Sequence, residues 1–161
     1  MNFKAIILAA GKGTRMKSKY PKVVHKVCGK EMVNHVISVS KKSGVNDIVA
    51  ILGHESDVVK EKLPKDTMIA MQTDQLGTGH AVMMAKEYIN DNDTIVVLCG
   101  DTPLVKEETL KRLFDYHIEH GYHATVLTTT VDNPTGYGRI IRDENKDLLK
   151  IVEQKDANEE E

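Results

Sequence analysis

Three short runs, Ala5–Ala9, Ile48–Leu52 and Thr94–Cys99, are apolar almost without interruption, and the stretches between them are amphipathic. A strand that is apolar at successive positions has to be covered on both faces, which is the condition of a parallel sheet rather than of a half-wetted antiparallel one. Met32, Val36 and Ile37, with Val33 beside them, predict a helix over Glu31–Lys42 that Gly44 caps. Further helices are expected over Glu55–Leu63, stopped by Pro64, over Thr78–Ile89, with Ala81, Met84, Ala85 and Tyr88 on one face, and over Lys106–His120, ended by Gly121. Strands are expected near Met68–Gln72 and over Ala124–Val131. Repeated βα units of this kind make an α/β, Rossmann-like domain, a mostly parallel sheet with helices on both faces and right-handed crossovers.

A chain of 161 residues suits one domain with a sizeable core. No apolar run reaches the roughly 18 residues that a membrane span needs, and Met1-Asn2-Phe3-Lys4 leads into a strand rather than a signal sequence. A cytoplasmic protein with no membrane partner is the expectation. The net charge of -2 argues against a general nucleic-acid binder. Cys28 and Cys99 lack a C-x-x-C partner or histidines at ligand spacing, so neither zinc nor a disulfide is expected, and both read as buried or half-buried small residues. The acidic stretch Glu153–Glu161 reads either as a frayed surface tail or as the cut end of a longer protein.

Charge is unevenly placed. Residues 1 to 30 carry Lys4, Lys12, Arg15, Lys17, Lys19, Lys22, Lys26 and Lys30 and no acidic residue. These cations coincide with a glycine-rich turn in I-I-L-A-A-G-K-G-T-R-M, where glycine lets backbone approach phosphate oxygens and cations offset their charge. In parallel sheets ligands lie beyond the carboxyl ends of the strands. Gly11 with Arg15, Gln72 to Thr78, and Gly100-Asp101 all fall at that edge. The loop is not a dinucleotide fingerprint, because Met16 stands where a third glycine belongs, and G-x-x-x-x-G-K-[ST] is absent. A nucleoside triphosphate attacked at its α-phosphorus remains.

The series L-A-A-G-K-G-T-R-M, P-K-V, Q-L-G-T-G-H-A, G-D-x-P-L, P-T-G-Y-G-R-I and I-V-E-x-K-D-A resembles the sugar nucleotidyltransferase family over nearly the whole chain. Within that family it is most similar to the pyrophosphorylase domain of bifunctional N-acetylglucosamine-1-phosphate uridyltransferase / glucosamine-1-phosphate N-acetyltransferase enzymes. The resemblance implies the reaction of UTP with N-acetylglucosamine 1-phosphate to give UDP-N-acetylglucosamine and pyrophosphate, with Mg²⁺ as cofactor, in cell-envelope precursor synthesis. Two polyanions must meet in that reaction, and one pair of unit charges about 5 Å apart repels by roughly 3 kcal/mol at an effective dielectric near 20.

By resemblance, Arg15 and Lys22 hold the phosphates, Lys12 is left without a role because its neighbour in the loop reaches the same oxygens, and Asp101 binds Mg²⁺. The same resemblance makes Gln72, with Gly77 and Thr78, the uracil reader, its amide pairing one donor and one acceptor with the base. Leu8, Ala9, Ala10 and Gly11 add contacts to base and ribose, Cys99 and Gly100 join Asp101 as substrate-binding residues, and Gly138 and Glu153 contact the sugar. His80 is not assigned as a base, since phosphate oxygens are already ionised near neutrality. The family's second metal-binding asparagine, a further sugar-contacting asparagine and the β-helix acetyltransferase domain, through which full-length relatives trimerise, have no counterpart in residues 1–161. The chain therefore reads as the N-terminal part of a nucleotidyltransferase domain. The alternatives are a non-catalytic UTP- or UDP-sugar-binding fragment, or a nucleotidyltransferase for another sugar phosphate.

Overall fold

The computed structural model describes residues 3–11, 13, 16–53 and 56–160, and divides them into two compact units, 1–116 and 117–161. The first holds four parallel strands, β1 (Phe3–Ala9), β4 (Asp47–Leu52), β5 (Met68–Met71) and β6 (Thr94–Cys99), in the order β5-β4-β1-β6. A two-residue hairpin, β2 (Lys26–Val27) with β3 (Lys30–Glu31), precedes α1 (Met32–Lys42). The remaining helices are α2 (Ser56–Lys60), α3 (Thr78–Met83) and α4 (Glu107–His120).

Alternation along the strands sorts the core onto two faces. Ala5, Ile7 and Ala9 of β1 join Ile48, Ala50 and Leu52 of β4 beneath Val33, Val36 and Ile37 of α1, Val59 of α2, and Leu110 and Phe114 of α4. Phe114 stacks on Phe3 with ring centroids 4.4 Å apart. Ile6, Val49 and Ile51 point the other way, against Ala81 of α3 and Ala85. Helices on both faces of a parallel sheet are what the continuous apolar strands demand. On the α3 face, Ile95 and Val97 of β6 remain 39% and 41% exposed.

The chain runs outward from β1 through β4 to β5, then returns to place β6 on the far side of β1. Right-handed crossovers put α1 and α2 on one face for the outward run and α3 on the other for the return. The strand order therefore reverses beside β1, and the loops there part to leave a crevice at the carboxyl ends.

Several expectations need correction. The third helix stops as an α-helix at Met83 and continues as a 3-10 turn, Lys86–Tyr88, rather than running to Ile89. The tighter turn brings the Tyr88 hydroxyl 2.9 Å from the Ile69 carbonyl of β5 and lets the Tyr88 carbonyl accept from the Lys4 ammonium. Lys4 is itself no part of a surface basic patch, being 6% exposed and ion-paired with Asp93 at 3.0 Å. The second helix ends at Lys60 instead of Leu63, and its expected first residue, Glu55, lies outside the described residues. Both cysteines are exposed rather than buried or half-buried, Cys28 because it occupies, at φ 49, the two-residue turn between β2 and β3.

In the second unit the expected strand Ala124–Val131 forms no ladder. Its Thr- and Val-rich sequence favours extended backbone, but a strand exists only where a neighbour accepts its hydrogen bonds. The ladder instead joins β7 (Arg139–Arg142) to β8 (Leu148–Val152), an antiparallel pair absent from the sequence reading. Asp143 Oδ1 closes its turn by accepting from the backbone N–H groups of Asn145 and Asp147, both at 2.9 Å. No helix among the described residues is long and apolar enough to cross a membrane.

Candidate active site

The loops leaving β1, β5 and β6 enclose a cleft of about 580 Å³, a size suited to a nucleotide-scale ligand. Leu8, Ala10 and Gly11 line it from β1, Gln72 and Gly77 from the loop after β5, Thr78 from the start of α3, and Cys99 and Asp101 from the end of β6. Lys22 reaches in from the 3-10 turn Lys22–Val24. Three separated sequence motifs thus converge on one concavity.

Lys22 Nζ donates to Asp101 Oδ2 at 2.8 Å, and the two side chains are 40% and 35% exposed. The pair is anchored from below. Val23 is buried, and Gly100 donates its N–H to the Leu8 carbonyl at 2.9 Å. A Cβ on Gly100 would lie 2.9 Å from that same carbonyl oxygen and 3.3 Å from Val23 Cγ1, so glycine lets β6 close against β1 before Asp101 turns into the cleft. Gly13 has φ +61, and a Cβ there would stand 2.6 Å from Lys22 Cβ. The second glycine of G-K-G therefore makes room for the Lys22 backbone.

Gln72 is 4% exposed, and its Nε2 donates to the Gly77 carbonyl and to His80 Nδ1, each at 3.1 Å. A carbonyl only accepts, which fixes the amide group's orientation and makes His80 the Nε2-protonated tautomer. Both amide hydrogens are spent on the loop and on α3, so Gln72 offers the cleft a carbonyl oxygen alone. Although Cys99 is exposed on the cleft wall, desolvation by the surrounding protein first, and the Asp101 charge second, push its thiol above its ordinary range against the opposing pull of Lys22. Near neutrality it is a protonated wall residue.

Among the described residues no group of three His, Cys, Asp or Glu forms a protein cage for a metal. A single carboxylate facing a cleft of nucleotide scale does suit a hard cation that keeps water and substrate oxygens as its other ligands.

A family model described as "Nucleotidyl transferase" matches residues 4–159. The chain belongs to the nucleotidyl transferase family. It is 84% identical over 161 residues to the Bifunctional protein GlmU of Clostridioides difficile (strain 630), a match covering 100% of this chain and 35% of that protein. The chain thus spans about a third of the length of that curated relative. In fold it is similar to a putative glucose-1-phosphate thymidylyltransferase from Bacillus anthracis, with TM-score 0.78 and 24% identity over 94% of this chain and 64% of the other. A manganese complex of Rv0371c from Mycobacterium tuberculosis is similar at TM-score 0.60 and 22% identity, covering 71% and 59% respectively.

The cleft gathers most of the residues singled out from sequence, with exceptions. Ala9 is 3% exposed and packs its side chain into the core beneath α1, so only its backbone is left to face a ligand. Gly100 is a strand-end spacer beside the cleft rather than part of its lining. Arg15 and Lys12 lie outside the described residues. Gly138 and Glu153 belong to the second unit, where the Arg139–Val152 pairing sets them across from each other, one residue beyond each strand.

Sequence reasoning missed Gln75, whose Nε2 donates to the Ala10 carbonyl at 2.8 Å and ties the loop after β5 to the end of β1. Its place within Q-L-G-T-G-H-A was the available signal. It also left Gly13 and His80 without a structural task.

Proposed function

We propose that this chain is the N-terminal part of a pyrophosphorylase domain that transfers uridylyl from UTP to N-acetylglucosamine 1-phosphate. A phosphate oxygen of the sugar phosphate attacks the α-phosphorus, the bond from that phosphorus to the α,β-bridging oxygen breaks, and pyrophosphate leaves with the electron pair. The product is UDP-N-acetylglucosamine, made in the cytoplasm for cell-envelope precursors. The observation that carries this reading is the meeting of Lys22 and Asp101 in a cleft walled by the glycine loop. Whole-chain identity of 84% to a bifunctional GlmU supports it.

In this reading Lys22, with Arg15 by resemblance, holds the phosphates of donor and acceptor together against their mutual repulsion. Gln72 accepts from the uracil N3–H, beside the backbone of Gly77 and Thr78. The Leu8–Gly11 turn lies against base and ribose. Asp101 would hold Mg²⁺, which when bound supplies positive charge to the phosphate oxygens. Within the second unit, Gly138 and Glu153 are the positions for the acetamido sugar. No side chain is asked to act as a base, because the attacking oxygen is already ionised.

The test is pyrophosphate release from UTP and N-acetylglucosamine 1-phosphate by the intact enzyme. Lys22→Ala and Asp101→Ala should each lose on the order of 10² in turnover or more. Turnover at the parent rate from either variant removes that residue from the mechanism, and preference for CTP, GTP or dTTP over UTP removes Gln72 as uracil reader.

A further inference from the structure

The Lys22 ammonium and the Asp101 carboxylate satisfy each other at 2.8 Å, although they are assigned above to different guests, the polyphosphate and the cation. We propose that this ion pair gates loading of the site, an inference that rests on that assignment. Lys22 keeps a lone divalent cation off Asp101, Asp101 keeps Lys22 from a bare polyphosphate, and the cation enters with the phosphates that draw Lys22 away.

The physical reason is competition for one carboxylate. A cation arriving alone either displaces the charge-assisted hydrogen bond at Oδ2 or takes the other carboxylate oxygen, and in both cases it sits within a few ångströms of an ammonium that remains. That ammonium has little room to retreat by backbone motion, because Gly13 packs against its Cβ and the following Val23 is buried. Only its side chain is free to swing, and it does so when phosphate oxygens offer an alternative partner. Both groups are more than a third exposed, so the pair opens at modest cost once a replacement is present. Coupling of this kind is reciprocal: by whatever factor the bound polyphosphate raises the cation's affinity, the bound cation raises the polyphosphate's.

The experiment uses the ¹⁵N-labelled chain without nucleotide and follows paramagnetic relaxation by Mn²⁺ at the amides of residues 99–102. Lys22→Met should raise the apparent Mn²⁺ affinity about tenfold, as expected from removing one charge a few ångströms from a divalent ion in a partly exposed site. Lys22→Gln repeats the measurement if Met disturbs the spectrum. Lys19→Met, which removes a loop lysine that does not bond Asp101, should change it less than about twofold. In EDTA, Asp101→Asn should tighten UTP binding severalfold.

Equal Mn²⁺ affinity in the parent and the Lys22 variants, with Asp101→Asn abolishing the relaxation, overturns the gate and leaves Asp101 as a ligand. An effect of Lys19→Met as large as that of Lys22→Met also overturns it, by reducing the interaction to general charge. Relaxation that persists in Asp101→Asn removes the ligand assignment, and the gate with it.

Discussion

Replacing Gly13 by alanine separates the structural work of the glycine loop from its contact with ligand. At φ +61 an L-residue costs about 1–2 kcal/mol relative to glycine. The added Cβ would stand 2.6 Å from Lys22 Cβ and 3.1 Å from the Lys22 backbone nitrogen. Carbon atoms pack comfortably at about 3.5–4.0 Å, so the two segments must part by about 1 Å. A flexible side-chain tip would rotate aside, but a Cβ and a backbone nitrogen carry the whole residue with them.

Lys22 is therefore displaced from Asp101 and from the phosphates it is proposed to hold. A misplacement of about 1 Å in a positioning group costs on the order of 10² in rate. The backbone penalty alone lowers the thermal midpoint by about 2–8 °C in a chain of this size. Two assays read the variant, thermal denaturation by circular dichroism and pyrophosphate release by the intact enzyme. Gly11→Ala is the control, because its Cβ meets nothing within 4 Å and its thermal midpoint should stay near the parent's. A Gly13→Ala protein with parental melting and parental turnover would show that Lys22 does not depend on this glycine.

The Asn90 backbone N–H first, and the Lys4 ammonium second, hold the Asp93 carboxyl below its ordinary value of 3.8. A depressed folded pKa contributes stability above the unfolded value, and that contribution disappears as pH falls through the folded one. Asp93→Asn should be less stable than the parent near neutrality, and the gap should close in urea titrations taken progressively below pH 3.8; a gap constant with pH excludes this linkage. Because Gln72 spends both amide hydrogens on Gly77 and His80, the base should be read through its N3–H and not through O4. CTP and N3-methyl-UTP should bind on the order of 10- to 10²-fold more weakly than UTP, whereas 4-thio-UTP should match it within a few-fold. A loss for 4-thio-UTP as large as that for CTP refutes an acceptor-only Gln72.

The parallel sheet was legible because its evidence is local. Ala5–Ala9, Ile48–Leu52 and Thr94–Cys99 each announce a strand needing cover on both sides, and the Met32–Ile37 spacing announces the helix that covers one of them. The ligand edge was legible for a related reason, since strand direction alone says which loops lie at the carboxyl end. Local patterning misjudged places where a distant group intervenes. The third helix tightens after Met83 because Tyr88 reaches Ile69 and Lys4, one residue 19 positions away in sequence and the other 84. The Ala124–Val131 stretch has strand propensity without a ladder, and the β7–β8 hairpin has its ladder through a turn that Asp143 closes.

By itself, then, the order of residues determined the kind of sheet, the edge at which the loops gather and the residue types found there, because periodicity and chain direction are properties of short segments. Only the tertiary structure decided that Lys22 and Asp101, 79 positions apart, neutralise each other, that Gly13 exists to make room for Lys22, and that Gln72 faces the cleft as an acceptor. Each of those is set by which atom of a remote segment lies within about 3 Å, the range over which hydrogen bonds and steric repulsion act.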